Sequence, residues 1–351
     1  AAASIGMSEY LLEAFPQWAP DQDVWGIPAG LIARKSLAVG VIMVFTFLHL
    51  QGLRIGSGIH NVLTAVKLIL ILGMIILGFS SGSGSFEHFQ QTTPTDYTFG
   101  GFKNMGLSVM WILFAYTGWN AAAYIGSEVR NPSRNLPLSL IIGTTVVIVL
   151  YMLLNALFVY AIPPGEMEGV ISIGGLAIKS LFGNMSGRIF SLLIAVALFS
   201  SISALIILGP RIYYAMARQG HFFRFAARIH PRTGVPYLSV LIQGALAVVI
   251  VLAGAFNEIL TYMGFALGIF PILAVYGIFV LHRKGYTRYK SPWYPFFPLF
   301  FIITNLAILM LGFAERPVES SIALATVLIG VPLYYLFKRN ARKNSLKRSG
   351  Y

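Results

Sequence analysis

Two groups of polar residues in this chain lie inside apolar runs and could bind a small molecule or move a proton. The first group, Thr117, Gly118, Trp119 and Asn120, interrupts an apolar stretch partway along it. A helix that is broken within a membrane exposes backbone N–H and C=O groups, which can bind the charged ends of a small molecule. The same residues could instead form part of a continuous helix whose glycine allows close packing. The sequence leaves both structures open.

The second group is centred on Lys67, which lies roughly 12 Å from the start of its predicted helix at about 1.5 Å per residue. A lysine this deep cannot easily extend its amine to water, and an ionisable side chain in a membrane helix indicates a functional role. Removal from water favours the neutral amine, which could then exchange a proton. The alternative is a permanently charged lysine that is bonded to backbone carbonyls.

Three serines are candidate partners of Lys67. Ser200 and Ser203 are three residues apart and so share one face of a predicted helix, and Ser201 is adjacent. They could face Lys67 or a binding cavity. Serines also serve as small packing residues between membrane helices, so the sequence does not decide between these roles.

The composition indicates an all-α integral membrane protein. The 351 residues are 57% hydrophobic and only 11% charged, whereas about 25% charged residues is usual in soluble domains. Apolar runs near 20 residues are long enough to cross a bilayer as helices. Residues 1–15 are too short to cross and are typical of the outer end of a further helix. Nine complete spans are predicted, at 37–53, 59–79, 104–127, 136–162, 188–217, 235–255, 257–281, 293–314 and 318–337.

The net charge of +13 follows the predicted membrane topology. If the basic tail at 338–351 lies in the cytoplasm, 18 of the 25 Lys and Arg residues fall on the cytoplasmic side, as the positive-inside rule requires. The charge therefore does not indicate nucleic-acid binding. Nine spans then place residue 1 outside, so we expect the sequence to begin partway through a helix.

The residue types do not favour an enzyme. The chain has no cysteine, which excludes disulfides, thiol chemistry and cysteine-ligated metals within it. The six histidines are scattered singly without the spacing of metal ligands, and no nucleophile–base pair is recognisable. We therefore expect no catalytic residue, no metal and no other cofactor.

Three motifs resemble the amino acid–polyamine–organocation (APC) superfamily. FAYTGWN followed by SEVRNPSRNLP, within residues 114–137, resembles the sixth helix of its amino-acid permeases and L-type exchangers. HNVLTAVKLILILG, residues 60–73, looks like the fifth helix, and RIYYAMARQGHFF, residues 211–223, looks like the end of the eighth. The resemblance covers nearly the whole chain in order. It assigns the nine spans to family helices four to twelve and leaves helices one and two missing.

This resemblance implies an incomplete LeuT-type fold of two inverted repeats plus two further helices, within one transporter domain over 1–351. It implies a secondary active amino-acid transporter of the plasma membrane, working by alternating access. The substrate would be bound by Phe114, Thr117, Gly118, Trp119, Asn120 and Tyr262. Proton coupling would involve Lys67, Ser200, Ser201 and Ser203.

The resemblance also has implications for the partner subunits of the chain. Some L-type exchangers are joined to a glycoprotein through a cysteine after the third helix, and the corresponding stretch, 16–36, has none. We therefore expect no disulfide-linked subunit, and a protein that acts in the lipid bilayer alone or as a homo-oligomer.

Glu128 and Arg130 would form a structural or gating ion pair. A non-transporting amino-acid sensor is the alternative, but the chain has neither a soluble sensory domain nor a long charged tail.

Overall fold

The computed structural model describes residues 1–19, 23, 24, 26–52, 57–91, 97–119, 129–285 and 293–348. These residues contain eleven α-helices, which confirm the all-α fold, and one pair of two-residue antiparallel strands, β1 (Asp23–Val24) and β2 (Ile27–Pro28). The helices are α1 (Ala2–Ala14), α2 (Ala29–Leu50), α3 (Ser57–Ser80), α4 (Phe99–Ala115), α5 (Pro132–Ala161), α6 (Ile173–Phe182), α7 (Asn184–Arg218), α8 (Tyr237–Ala253), α9 (Phe256–Arg283), α10 (Phe296–Glu315) and α11 (Pro317–Arg348).

Seven helices of the described residues are long and apolar enough to cross a membrane: α2, α3, α5, α7, α9, α10 and α11. The protein is therefore a multi-pass membrane protein. The two remaining predicted spans correspond to α4 and α8, which have 17 residues each. This length is at the lower limit for crossing a bilayer.

The helices α6 and α11 differ from the sequence-based expectations. The ten-residue helix α6, between α5 and α7, was not predicted, because it is too short to cross and lies in a loop. Its buried face consists mainly of small and aliphatic residues, Gly174, Gly175, Ala177, Ile178 and Leu181. In addition, α11 continues to Arg348, through most of the predicted basic tail. Residues 338–348 contain no proline or glycine, and lysine and arginine are good helix formers.

The helices group into two compact units. The first comprises residues 1–92, 141–254 and 336–351. One of its apolar clusters brings together α1, α2 and α7 through Met7, Phe45, Ala195, Ile202 and Ile206. A second apolar cluster joins α3, α5 and α6, with Met74, Leu157 and Ile178 among its buried members. These clusters fix the positions of α3 and α7, the helices that contain Lys67 and its candidate partners.

The second unit comprises residues 93–140 and 255–335. Here α4 packs against α9 and α10 around a buried cluster, whose members are Leu107, Met110, Phe265, Ile272, Leu309 and Ala323. Small residues let membrane helices approach closely, and Gly106 of α4 is such a residue. A Cβ at Gly106 would overlap the side chain of Leu311 on α10.

Gly106→Ile is therefore expected to destabilise the protein by about 1–3 kcal/mol, the usual cost of overpacking. The measurement is the thermal unfolding midpoint in detergent. Gly143→Ile is the matched control, because a Cβ at this helical glycine of α5 would meet no atom within 4 Å in the described part of the chain. Equal midpoints for the two variants would contradict the close contact between α4 and α10.

Candidate functional site

The helix α4 ends at Ala115, well before residue 127, where its predicted span ends. The backbone N–H of Tyr116 still bonds to the carbonyls of Ile112 and Leu113, each at 3.2 Å. Gly118 then has a φ of +106°, in a region that glycine adopts readily and other residues rarely do. The structure therefore excludes a helix that continues through Gly118. Asn120 and Glu128 lie outside the described residues.

Local hydrogen bonds close the last turn of α4. The carbonyl of Phe114 accepts a hydrogen bond from the backbone N–H of Thr117 at 3.0 Å and another from the Thr117 hydroxyl at 2.7 Å. Beyond this turn, Trp119 is 50% exposed. A helix C-terminus has a partial negative charge from its last carbonyls. The end of α4 is therefore suited to a positively charged group.

A hydrogen bond joins α4 to α9. The indole N–H of Trp111 donates to the Thr261 hydroxyl oxygen at 3.2 Å, and the Thr261 hydroxyl donates to the backbone carbonyl of Asn257 at 2.9 Å. Tyr262, a predicted substrate contact, packs with Trp111 against the buried cluster of the second unit. The structure thus places Tyr262 among residues at the contact of α4 with α9. Sequence reasoning missed Trp111, because one tryptophan in an apolar run resembles ordinary packing.

The structure assigns different partners to the three candidate serines. The amine of Lys67 donates to the Ser201 hydroxyl at 2.8 Å and so links α3 to α7. Ser200 donates to the backbone carbonyl of Ala197, within its own helix, at 3.0 Å. Ser203 bonds instead to His49 on α2, with 3.2 Å between the Ser203 hydroxyl oxygen and the imidazole Nε2. Only Ser201 therefore contacts Lys67 by a side-chain hydrogen bond.

His49 is a residue whose role sequence reasoning missed. In the sequence it is one of six histidines that are scattered singly. In the structure it is 7% exposed, and its ring lies nearly parallel to that of Phe45, with 6.0 Å between the ring centroids. The one sequence signal was a histidine between apolar residues near the end of a span.

The ion pairs in the described part of the chain do not involve Lys67. They join Glu9 to Arg34, Lys103 to Glu315 and Arg316 to Glu319. All six residues lie on the side that the positive-inside rule predicts to be outside. Within the described residues, Lys67 therefore has no ion-pair partner, and no group of three or more His, Cys, Asp or Glu side chains could hold a metal ion.

Comparisons with known proteins agree with these features. The family model for amino acid permeases matches residues 1–332. The chain is 26% identical over 324 residues to the serine/threonine exchanger SteT of Bacillus subtilis, covering 90% of this chain and 71% of the exchanger. It is 27% identical over 342 residues to b(0,+)-type amino acid transporter 1 of Mus musculus, covering 95% of this chain and 67% of that transporter.

A third relative is the large neutral amino acids transporter small subunit 2 of Homo sapiens. It is 25% identical over 357 residues, which cover 96% of this chain and 62% of the human protein. The family match extends over most of the chain, and the helices and the interruption of α4 agree with it. This chain therefore belongs to the amino acid permease family, within the APC superfamily, and is a membrane transporter and not an enzyme.

Proposed function

We propose that this permease moves amino acids across the plasma membrane as a secondary transporter that works by alternating access, with its C-terminus in the cytoplasm. The observation that supports this proposal most directly is the end of α4 at Ala115, inside a predicted span. Interrupted helices are tolerated within membranes where the free backbone groups line a cavity. In transporters with inverted repeats, such helix ends bind substrate.

The chemistry of a zwitterionic amino acid fits this end of α4. The last carbonyls of the helix attract the substrate ammonium, because they form the negative end of the helix dipole. Phe114 and the half-exposed Trp119 provide apolar surface for the substrate side chain, and Thr117 offers a hydroxyl oxygen. Asn120 and Tyr262 are further proposed contacts, Asn120 as a hydrogen-bond partner.

We extend the proposal to the driving force of transport, which we assign to Lys67. A hydroxyl can accept a hydrogen bond from an ammonium or donate one to a neutral amine. The 2.8 Å contact with Ser201 can therefore persist whether or not Lys67 holds its extra proton. A partner that accommodates both states suits an amine that gains and loses a proton in each transport cycle.

Uptake of radiolabelled amino acids into proteoliposomes tests the transport proposal. We expect saturable uptake that an excess of the same unlabelled amino acid suppresses, and we expect preloaded unlabelled amino acid to accelerate it if exchange is permitted. Empty liposomes are the control. If an amino acid raised the unfolding temperature of the purified protein but never entered the vesicles, a sensor would be the better description.

A further inference from the structure

One turn of α7 forms hydrogen bonds with two other helices of the first unit. Ser201 accepts a bond from Lys67 of α3 at 2.8 Å, and Ser203 bonds to His49 of α2 at 3.2 Å. Ser203 is 2% exposed, so water cannot easily replace its partner. The two bonds differ in kind, because only the first involves an ionisable residue with a proposed role in transport.

The spacing of the two serines determines the directions of these bonds. Successive residues of an α-helix are separated by about 100°, so Ser201 and Ser203 project roughly 200° apart around α7. The helices α2 and α3 therefore bond to α7 from nearly opposite sides. A rotation of α7 that turned Ser201 away from Lys67 would also break the bond between His49 and Ser203.

The surroundings of His49 favour a fixed position for its ring. Phe45 stacks on the imidazole, and Phe45 also belongs to the buried apolar cluster that includes Ile202, the residue between the two serines. The same packing therefore holds the ring of His49 and the turn of α7. Within the described residues, Lys67 has no ion-pair partner, so its contact with Ser201 depends on the orientation of α7.

We propose that His49 is a positioning residue for Lys67. Its hydrogen bond to Ser203 holds α7 at the rotation that directs the Ser201 hydroxyl toward the Lys67 amine. His49 touches neither the substrate nor the exchanged proton. This inference rests on the proposed role of Lys67 in proton coupling.

The test compares uptake with and without an imposed pH gradient, and across a range of pH, in proteoliposomes that contain the complete product of the gene. We expect His49→Leu to reduce gradient-driven uptake by about fivefold, the factor that corresponds to the loss of one hydrogen bond. The variant should also shift the pH profile of uptake. Exchange measured without a gradient should change much less. His49→Gln, whose amide can still bond to Ser203, should restore the wild-type response.

Two further variants keep this test decisive. Ser203→Ala removes the same hydrogen bond from α7 and should reproduce the effect of His49→Leu even if that variant does not fold. Thr46→Val is the control on α2, because the Thr46 hydroxyl donates only within its own helix, to the carbonyl of Ile42. A wild-type gradient response in both His49→Leu and Ser203→Ala would overturn the proposal, and so would a His49→Gln protein as defective as His49→Leu.

A stability measurement separates this inference from the proposed coupling. If wild-type uptake does not respond to the gradient, the coupling proposal fails. The positioning role is then tested by comparing the unfolding temperatures of His49→Leu, Lys67→Met and the double variant with that of the wild type. Distant residues without shared contacts have additive effects. We expect a double variant less destabilised than the sum of the single variants, because either change already frees α7. Additive losses would overturn the positioning role.

Discussion

Lys67→Ala is expected to abolish the stimulation of amino-acid uptake by a pH gradient while exchange of amino acids across the membrane persists. The amine is the proposed proton carrier, and alanine cannot replace it. The Ser201 hydroxyl, 2.8 Å from the amine in the wild type, would then have no ionisable partner on α3. The measurement is substrate flux in proteoliposomes, wild type against variant, with and without the gradient.

Variants of two neighbouring serines serve as a test and a control in this experiment. Ser201→Ala removes the partner of the amine and should weaken the gradient response, whereas Ser200→Ala removes a hydroxyl that bonds to Ala197 within α7 and should not. A wild-type flux that ignores the gradient would end the coupling proposal and leave the transport proposal intact. Equal loss of driven uptake and exchange in Lys67→Ala would instead indicate a fixed structural charge.

The second large effect is expected at Gly118. Substitution by alanine or by leucine should reduce uptake by about tenfold or more, because a non-glycine residue in such a backbone conformation is strained by about 1–3 kcal/mol. The φ of +106° is the cause, because a Cβ at Gly118 would meet no atom of the described residues within 4 Å. Alanine therefore tests the backbone strain alone, whereas leucine also places a large side chain in the proposed substrate site and should be at least as harmful. Uptake is measured together with the amount of protein in the membrane.

Gly277 of α9 is the matched control for Gly118. Among the described residues a Cβ there would also meet no atom within 4 Å, but this glycine has no positive φ. Gly277→Ala and Gly277→Leu should therefore transport nearly as the wild type does. Wild-type uptake by Gly118→Ala would show that the backbone can leave this conformation without loss of function.

The features that the sequence predicted correctly depend on local information. Seven of the nine predicted spans correspond to helices long enough to cross a membrane. These spans could be predicted because the length of an apolar run can be counted directly in the sequence. The interruption of α4 was one of two open alternatives, and the change from apolar to polar residues at Thr117 marked its place. The substrate contacts themselves, Asn120 above all, stay predictions.

The features that the sequence did not predict depend on how helices are rotated against one another. Ser200 and Ser203 are both buried, as their shared face suggested, yet Lys67 bonds to Ser201. The direction of each serine relative to α2 and α3 depends on packing between elements more than 100 residues apart in the chain. For the same reason the partner of His49 could not be read from its neighbours in the sequence.

The short length of α8 has a consequence for the surrounding lipid. Its 17 residues extend only about 25 Å at 1.5 Å per residue, less than the hydrocarbon thickness of about 30 Å in a typical bilayer. By contrast, the 35 residues of α7 extend roughly 50 Å. A helix shorter than the bilayer is accommodated by local thinning of the bilayer or by flanking side chains that extend to the interface, at a cost that grows with the mismatch. The lipid beside α8 is therefore expected to be more strained than the lipid beside α7, and longer acyl chains would increase this difference.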